Sequence, residues 1–216
     1  VAKLQGYSRR LQVLEQMLTQ EKNRLCLFGD DREFKEDIES HITFLGGQVA
    51  LLKKRMHEHI QAHETLSKQH KLLDSIVGIG EKTAAIILAE IGPIEMFSSA
   101  RQLAAFARLT PREFTSGSSV NGKTRLCKIG NPRLRKALFF PALSTIRHSP
   151  ELRAFREGLI AKGKNKMEAV GTVMHKLIRI VYGVLKSGQP FDPAKLVPTQ
   201  GPKTNSQKKS ELALAT

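Results

Sequence analysis

Leu4, Leu11, Leu18 and Leu25 recur every seven residues, and Tyr7, Leu14 and Phe28 fill the second position of the repeat, with Glu21 the exception. Such a repeat keeps one apolar stripe of a helix turned toward a partner helix, so the spacing predicts a coiled-coil-type helix. Gly29-Asp30-Asp31 breaks the pattern. A second helix is expected from Arg32–Glu33, where acids suit a positive helix N-terminus. Its seam reads Ile38, Leu45, Leu52, His59, Leu66 with Ile42, Val49, Met56, His63. Two long helices joined by a short polar turn form an antiparallel hairpin, which makes residues 1–70 a helical arm. Gly46-Gly47 should weaken its second helix, as a kink or a point of close approach. The chain starts at Val1, already in helical pattern, and is expected to be the C-terminal part of a longer protein.

Charge divides the chain at about the same place. Residues 1–70 hold 11 cations and 10 acids, whereas residues 71–216 hold 24 cations and 10 acids. A net charge of +15 and a pI near 10.1 point to a polyanionic partner, nucleic acid before an anionic membrane surface. No apolar run reaches the roughly 20 residues of a membrane span, and no signal peptide is visible. Cys26 and Cys127 have neither disulfide-framework nor metal-ligand spacing, so a reducing cytoplasm is the natural compartment. His57, His59, His63 and His70 invite a metal reading, but no acid or cysteine completes a site.

Leu72 to Glu90 reads as a helix, a Gly78-Ile79-Gly80 turn and a small-residue helix, the pattern of a helix-hairpin-helix motif. Gly78 and Gly80 would let backbone N–H groups approach a phosphate at a helix N-terminus, with Lys82 and Thr83 adding a charge and a hydroxyl. Such a contact holds backbone without reading sequence. The alternative is a tight helix–helix turn with no ligand. Gly92-Pro93 ends this helix, and Ser98-Ser99 caps another.

The next stretch is the densest in cations. From Arg108 to Lys136 stand Arg108, Arg112, Lys123, Arg125, Lys128, Arg133, Arg135 and Lys136, eight cations against Glu113 alone, a net +7. The stretch is expected to be a loop of roughly twenty residues, a length that implies function in a compact domain. Its hydroxyls, Thr115, Ser116, Ser118, Ser119 and Thr124 among them, have cations on both sides that could stabilise charge developing on a phosphodiester. No base is adjacent. No aspartate occurs between Asp74 and Asp192 and the glutamates there are scattered, which argues against a two-metal nuclease built from clustered carboxylates within this segment. Downstream, Asn131-Pro132 and Ser149-Pro150 open helices, and Pro141 should kink the first of them. Leu152, Phe155 and Leu159 should face inward. A last helix carries Val170, Val173, Met174, Leu177, Ile178, Val181 and Val184-Leu185 inward and ends at Gly188. Residues 192–216 read as a disordered basic tail.

Three segments, VGIGEKTAAIILAEIG, FSSARQLAAFARLTPREFTSG and KIGNPRLRKALFFPA, resemble the C-terminal transposase domain of a bacterial insertion-sequence family. RRLQVLEQMLTQEKNRL also resembles that family's linker coiled coil. The family joins an N-terminal RNase H-like domain with four acids to a helical C-terminal domain with a catalytic serine, and its members resemble RNA-guided bridge recombinases. The resemblance implies that Ser116, in the Ser-Gly pair after the Thr-Pro-Arg turn, is the nucleophile, with Ser118 and Ser119 as near alternatives. It further implies a divalent metal such as Mg in the N-terminal domain, a guide RNA, and a bacterial, nucleoid-associated location. The expected fold is therefore all-α: a long antiparallel coiled-coil arm (1–70), then a compact helical domain with a helix-hairpin-helix motif (71–191). Residues expected at nucleic acid are Gly78, Gly80, Lys82, Thr83, Arg112, Lys123, Arg125, Lys128, Arg133, Arg135 and Lys136. No metal or other cofactor is expected in this chain, and no membrane partner. The expected partners are DNA and a second copy joined through the arm. The rival reading is a non-catalytic helix-hairpin-helix DNA-binding module with a dimerisation arm.

Overall fold

The computed structural model describes residues 2–28, 31–116, 120–126 and 129–193. The architecture is helical, as expected. Helices α1 (Ala2–Phe28) and α2 (Arg32–Gln61) form the arm; α3 (Glu64–Asp74), α4 (Glu81–Ile91) and α5 (Ala100–Phe106) follow, with a 3-10 turn at Ile94–Met96. Then come α6 (Pro132–His148), α7 (Pro150–Ala161) and α8 (Lys166–Ser187).

The arm is antiparallel. Tyr7 meets the His59 ring edge-on at 6.1 Å, Glu15 lies 3.6 Å from Lys53, and Glu21 lies 3.3 Å from His41. Leu4, Leu11 and Leu14 are buried in the seam, while Leu18 and Leu25 are half-buried and Phe28 is exposed. Glu21 is buried too, and its carboxylate accepts from Arg24 Nη1 at 2.8 Å. On α2 the seam runs Ile38, Leu45, Val49, Leu52, Met56, Ile60. It leaves the seven-residue track at Ile60, where His59 was expected, because a straight helix of 3.6 residues per turn drifts against a strict heptad. The helix also stops at Gln61 instead of running through Leu66. Gly46 and Gly47 sit inside an unbroken α2, and a Cβ at either would meet nothing within 4 Å, so they mark no close approach.

Asp31, Ser99, Asn131, Ser149 and Asn165 all accept helix N-terminal N–H groups through their side chains. These caps satisfy donors that a helix cannot satisfy itself. α8 is the hub: its apolar face, Ala169 to Leu185, is buried against α3, α5, α6 and α7. Of the residues expected inward on α7, Leu152 is fully buried and Phe155 and Leu159 are half-buried. α6 runs through Pro141 as one helix. A single apolar cluster joins the base of the arm, including Leu4, Leu11, Met56 and Ile60, to Ile87, Leu103, Leu138 and Leu177 of the body.

One element departs from the expectation. Where a loop was expected, strands β1 (Pro111–Ser116) and β2 (Val120–Leu126) pair antiparallel, with an irregularity between Arg112 and Phe114. Among the described residues this ribbon is the one exception to an all-helical chain. β-Formers are present in Phe114, Thr115, Val120 and Thr124. The apolar alternation that betrays a strand is missing, because alternation records a face buried on a core, and these strands pack extensively only on each other. Among the described residues no helix is long and apolar enough to cross a membrane. The tail reading falls largely on residues 194–216, outside the described residues.

Candidate nucleic-acid interface

The α3–α4 turn is the first half of the expected site. Gly78 has φ +91°, and a Cβ there would run into Thr145 Oγ1 and lie 2.8 Å from the Pro141 carbonyl oxygen. Thr145 is buried, and its Oγ1 lies 2.7 Å from both the Val77 and Pro141 carbonyl oxygens. The geometry thus gives Gly78 a packing role, seating the turn on α6. Gly80 is the N-cap of α4 with open space around it. Lys82 Nζ donates to Glu15 Oε1 of α1 at 2.6 Å. Glu81 Oε1 accepts from His57 Nδ1 of α2 at 2.6 Å, and its carbonyl oxygen accepts from His70 Nε2 at 2.9 Å. The start of α4 is therefore tied to the arm, and Lys82 already has an anionic partner.

The root of the β-hairpin is the second half. Arg108 has φ +57°, the one positive φ among described residues other than glycine, and its Nε donates to the Gly130 carbonyl at 2.8 Å. Asn131 N donates to the Phe106 carbonyl at 2.6 Å. Gly130, at φ +119°, lets the chains cross, since a Cβ would lie 2.5 Å from that same carbonyl oxygen. Asn131 Oδ1 caps α6 by accepting from Arg133 N and Leu134 N at 2.9 and 3.1 Å. Asn131 Nδ2 donates to Glu90 Oε2 at 2.7 Å. Glu90 is only 3% exposed. The sequence marked Asn131 as a cap but gave no sign of Glu90, whose partner stands 41 positions away.

Register makes Arg112 the cross-strand partner of Arg125 and Ser116 that of Val120. Ser116 ends β1 and Lys123 lies within β2. Ser118, Ser119 and Lys128 lie outside the described residues. Arg133 and Lys136, on the first turns of α6, are exposed and line a cleft of about 710 Å³ together with Lys82 and Thr83. Arg135 is half-buried and lies away from that lining. The structure thus brings Lys82, Thr83, Arg133 and Lys136 together and strings Arg112, Lys123 and Arg125 along the hairpin. What sequence reading missed is the polar face of α1 across the cleft, with Gln12, Gln16 and Thr19. Their spacing of three to four residues, off the apolar seam, was the available signal.

His59 Nε2 is buried without a hydrogen-bond partner, and His63 Nδ1 donates to the His59 carbonyl at 2.8 Å. Desolvation, then His63 and Lys3, hold the His59 pKa below its ordinary value. Among the described residues no three His, Cys, Asp or Glu side chains are placed to hold a metal.

Comparison with known proteins adds the family. Residues 70–157 match the family described as Transposase IS116/IS110/IS902 family. The chain is 32% identical over 159 residues, 73% of its length and 49% of the relative's, to a pilin gene-inverting protein of Moraxella bovis. It is 28% identical to the 43.6 kDa protein of insertion element IS110 from Streptomyces coelicolor, over 69% of this chain and 36% of that one. It is 34% identical to the transposase of insertion sequence element IS1111A from Coxiella burnetii, over 42% of this chain and 25% of that one. The chain spans about half the length of the pilin gene-inverting proteins, or less of the other relatives. Through residues 70–157, this chain is similar to the transposase domain of the IS116/IS110/IS902 family.

Proposed function

We propose that the chain is the arm and the serine-bearing domain of a DNA transposase or recombinase. The observation that carries this reading is the match of residues 70–157, which includes the basic hairpin and Ser116. Ser116 Oγ attacks a DNA phosphodiester: a bond forms to phosphorus and the phosphorus–sugar oxygen bond breaks. The serine proton passes to a base outside the described residues, and the released sugar oxygen takes one up from solvent. The ester bond energy is kept in the phosphoserine link, so strands can be exchanged without an external energy source. Arg112 and Arg125, cross-strand partners in the backbone register, are the hairpin cations that this reading assigns to the DNA backbone. A divalent metal belongs to carboxylates outside these residues.

The arm serves to join two copies. Phe28 of α1 and Phe34 and Phe44 of α2, each more than half exposed, are side chains such a partner would cover. A guide RNA is the second polyanion this reading expects, inside bacterial cytoplasm at the nucleoid. The test is a protein–DNA adduct assay with the full-length protein, DNA and guide RNA. Ser116→Ala should abolish adduct and strand exchange while DNA binding persists. Full activity in that variant would remove Ser116 from the mechanism and leave the non-catalytic DNA-binding module as the better account.

A further inference from the structure

The cleft beside the hairpin root has more recognition chemistry than phosphate binding needs. α4 packs against both α1 and α6, so it forms the floor and they form the walls. At the floor, Glu90 is 3% exposed and lines the cleft. Its Oε2 accepts from Asn131, but its Oε1 is buried with no hydrogen-bond partner. A buried carboxylate oxygen left without a donor is unfavourable, and native structures rarely keep one without a reason. On the α6 wall, Phe140 lines the same cleft and is 75% exposed. Arg133 and Lys136 stand on that wall too. Facing them, α1 offers Gln12 and Gln16, with Glu15 between them. Lys82 is held by Glu15 at 2.6 Å, so the cations available to a phosphate are those of α6. The volume, about 710 Å³, lies in the range of small-ligand sites.

We propose that this cleft binds one unpaired DNA nucleotide, its base against Phe140, an amino N–H on Glu90 Oε1, and its phosphates at Arg133 and Lys136. An aromatic face stacks any base. A carboxylate discriminates, because it accepts from the exocyclic amine of cytosine or adenine, whereas thymine presents a carbonyl at that edge. A base inside a duplex cannot reach a nearly buried oxygen on a cleft floor, so the nucleotide must be turned out of its stack. Recombination opens strands, and a pocket that holds an extruded base would keep a junction open. The inference rests on the nucleic-acid reading above and names a site within it.

Fluorescence anisotropy of the 216-residue chain with short oligo-dC, oligo-dT, oligo-rC and a blunt duplex tests it. Oligo-dC should bind about tenfold tighter than oligo-dT, a gap typical of one base contact. Phe140→Ala should weaken both by about tenfold. Glu90→Gln should erase the preference while leaving oligo-dT binding within twofold. Phe140 is exposed, so its variant is expected to fold normally; unchanged thermal melting verifies this for both. Equal binding of oligo-dC and oligo-dT, or variants that leave oligo-dC affinity within twofold, overturns the assignment. Tighter binding of oligo-rC through the same residues replaces DNA by RNA as occupant and overturns it as stated. A chain that binds none of these nucleic acids brings down the DNA reading as well. Binding lost with Lys123→Ala and Arg125→Ala but indifferent to Phe140 and Glu90 brings down only the cleft.

Discussion

Two turns of this chain look alike in sequence and behave differently in space. The α3–α4 turn has Gly78, Gly80, Lys82 and Thr83 before a helix; the hairpin root has Gly130 before a helix bearing Arg133, Arg135 and Lys136. Each contains a glycine with positive φ that no side chain could replace without collision. In the first turn the chain consumes its own anion-binding features: Glu15 takes Lys82, and α6 closes over Gly78. In the second, the contacts of Arg108, Asn131 and Glu90 lock the backbone crossing and leave Arg133 and Lys136 of α6 facing a cleft. Glycine and charge mark a turn that could hold a phosphate. Whether it is open to one depends on carboxylates that arrive from elsewhere in the chain.

The largest effect should come from testing the packing role. Gly78→Ala forces a Cβ into Thr145 and Pro141 at a left-handed φ. Strain and overpacking together should cost about 3 kcal/mol, read as a loss of stability in denaturant unfolding. Gly80→Ala, at φ −95° in open space, should stay within about 1 kcal/mol. Equal effects would mean that the two glycines serve alike and that the turn is not seated on α6.

Next in size is the clasp at the hairpin root. Asn131→Ala removes the α6 cap and the donor to Glu90. A lost cap and a buried carboxylate oxygen left bare should together cost about 2 kcal/mol. Asn131→Ser keeps a capping oxygen and should recover roughly half. No recovery would show that the cap contributes little and the Glu90 contact dominates.

Legibility followed the same division. Helix starts were readable because Asn131, Ser149 and Ser99 act within three residues of themselves. The inward face of α8 was readable because its whole stripe is buried. The arm was readable until the seam drifted to Ile60. The hairpin was not, since Arg112, Lys123 and Arg125 stand where a packed strand would carry apolar residues. Nor was Glu15 opposite Lys82, a contact across 67 positions, or Glu90 beneath Asn131. Local chemistry writes itself into sequence; the neutralising partner of a distant charge does not.

A smaller effect separates the cations. Arg133→Ala with Lys136→Ala should weaken DNA binding and reduce the slope of log affinity against log salt by about 2, one for each phosphate contact. Lys82→Ala should change that slope by much less than one, because Glu15 already occupies the ammonium. Glu15→Gln should then free Lys82 and strengthen binding. A full unit lost with Lys82 alone would return the α3–α4 turn to the interface.

The smallest effect is in pH, and it sets arm against body. His59, at the base of the arm, is held below its ordinary pKa of 6.5 by desolvation, then by His63 and Lys3. His175, on α8, is lowered by desolvation, then by Arg179. In both cases the unfolded chain binds protons that the folded chain refuses. Stability should therefore be complete above about pH 7, fall as pH drops through 6.5, and level off below the folded pKa values. His59 has a buried, unpartnered Nε2, so protonation there adds a donor with nothing to receive it. His59→Gln and His175→Gln should each flatten part of the slope between about pH 7 and 5.5, a window that lies above most carboxylate titration. If His59→Gln alone flattens it, acid loosens the arm's base first; if only His175→Gln does, the body yields and the arm follows.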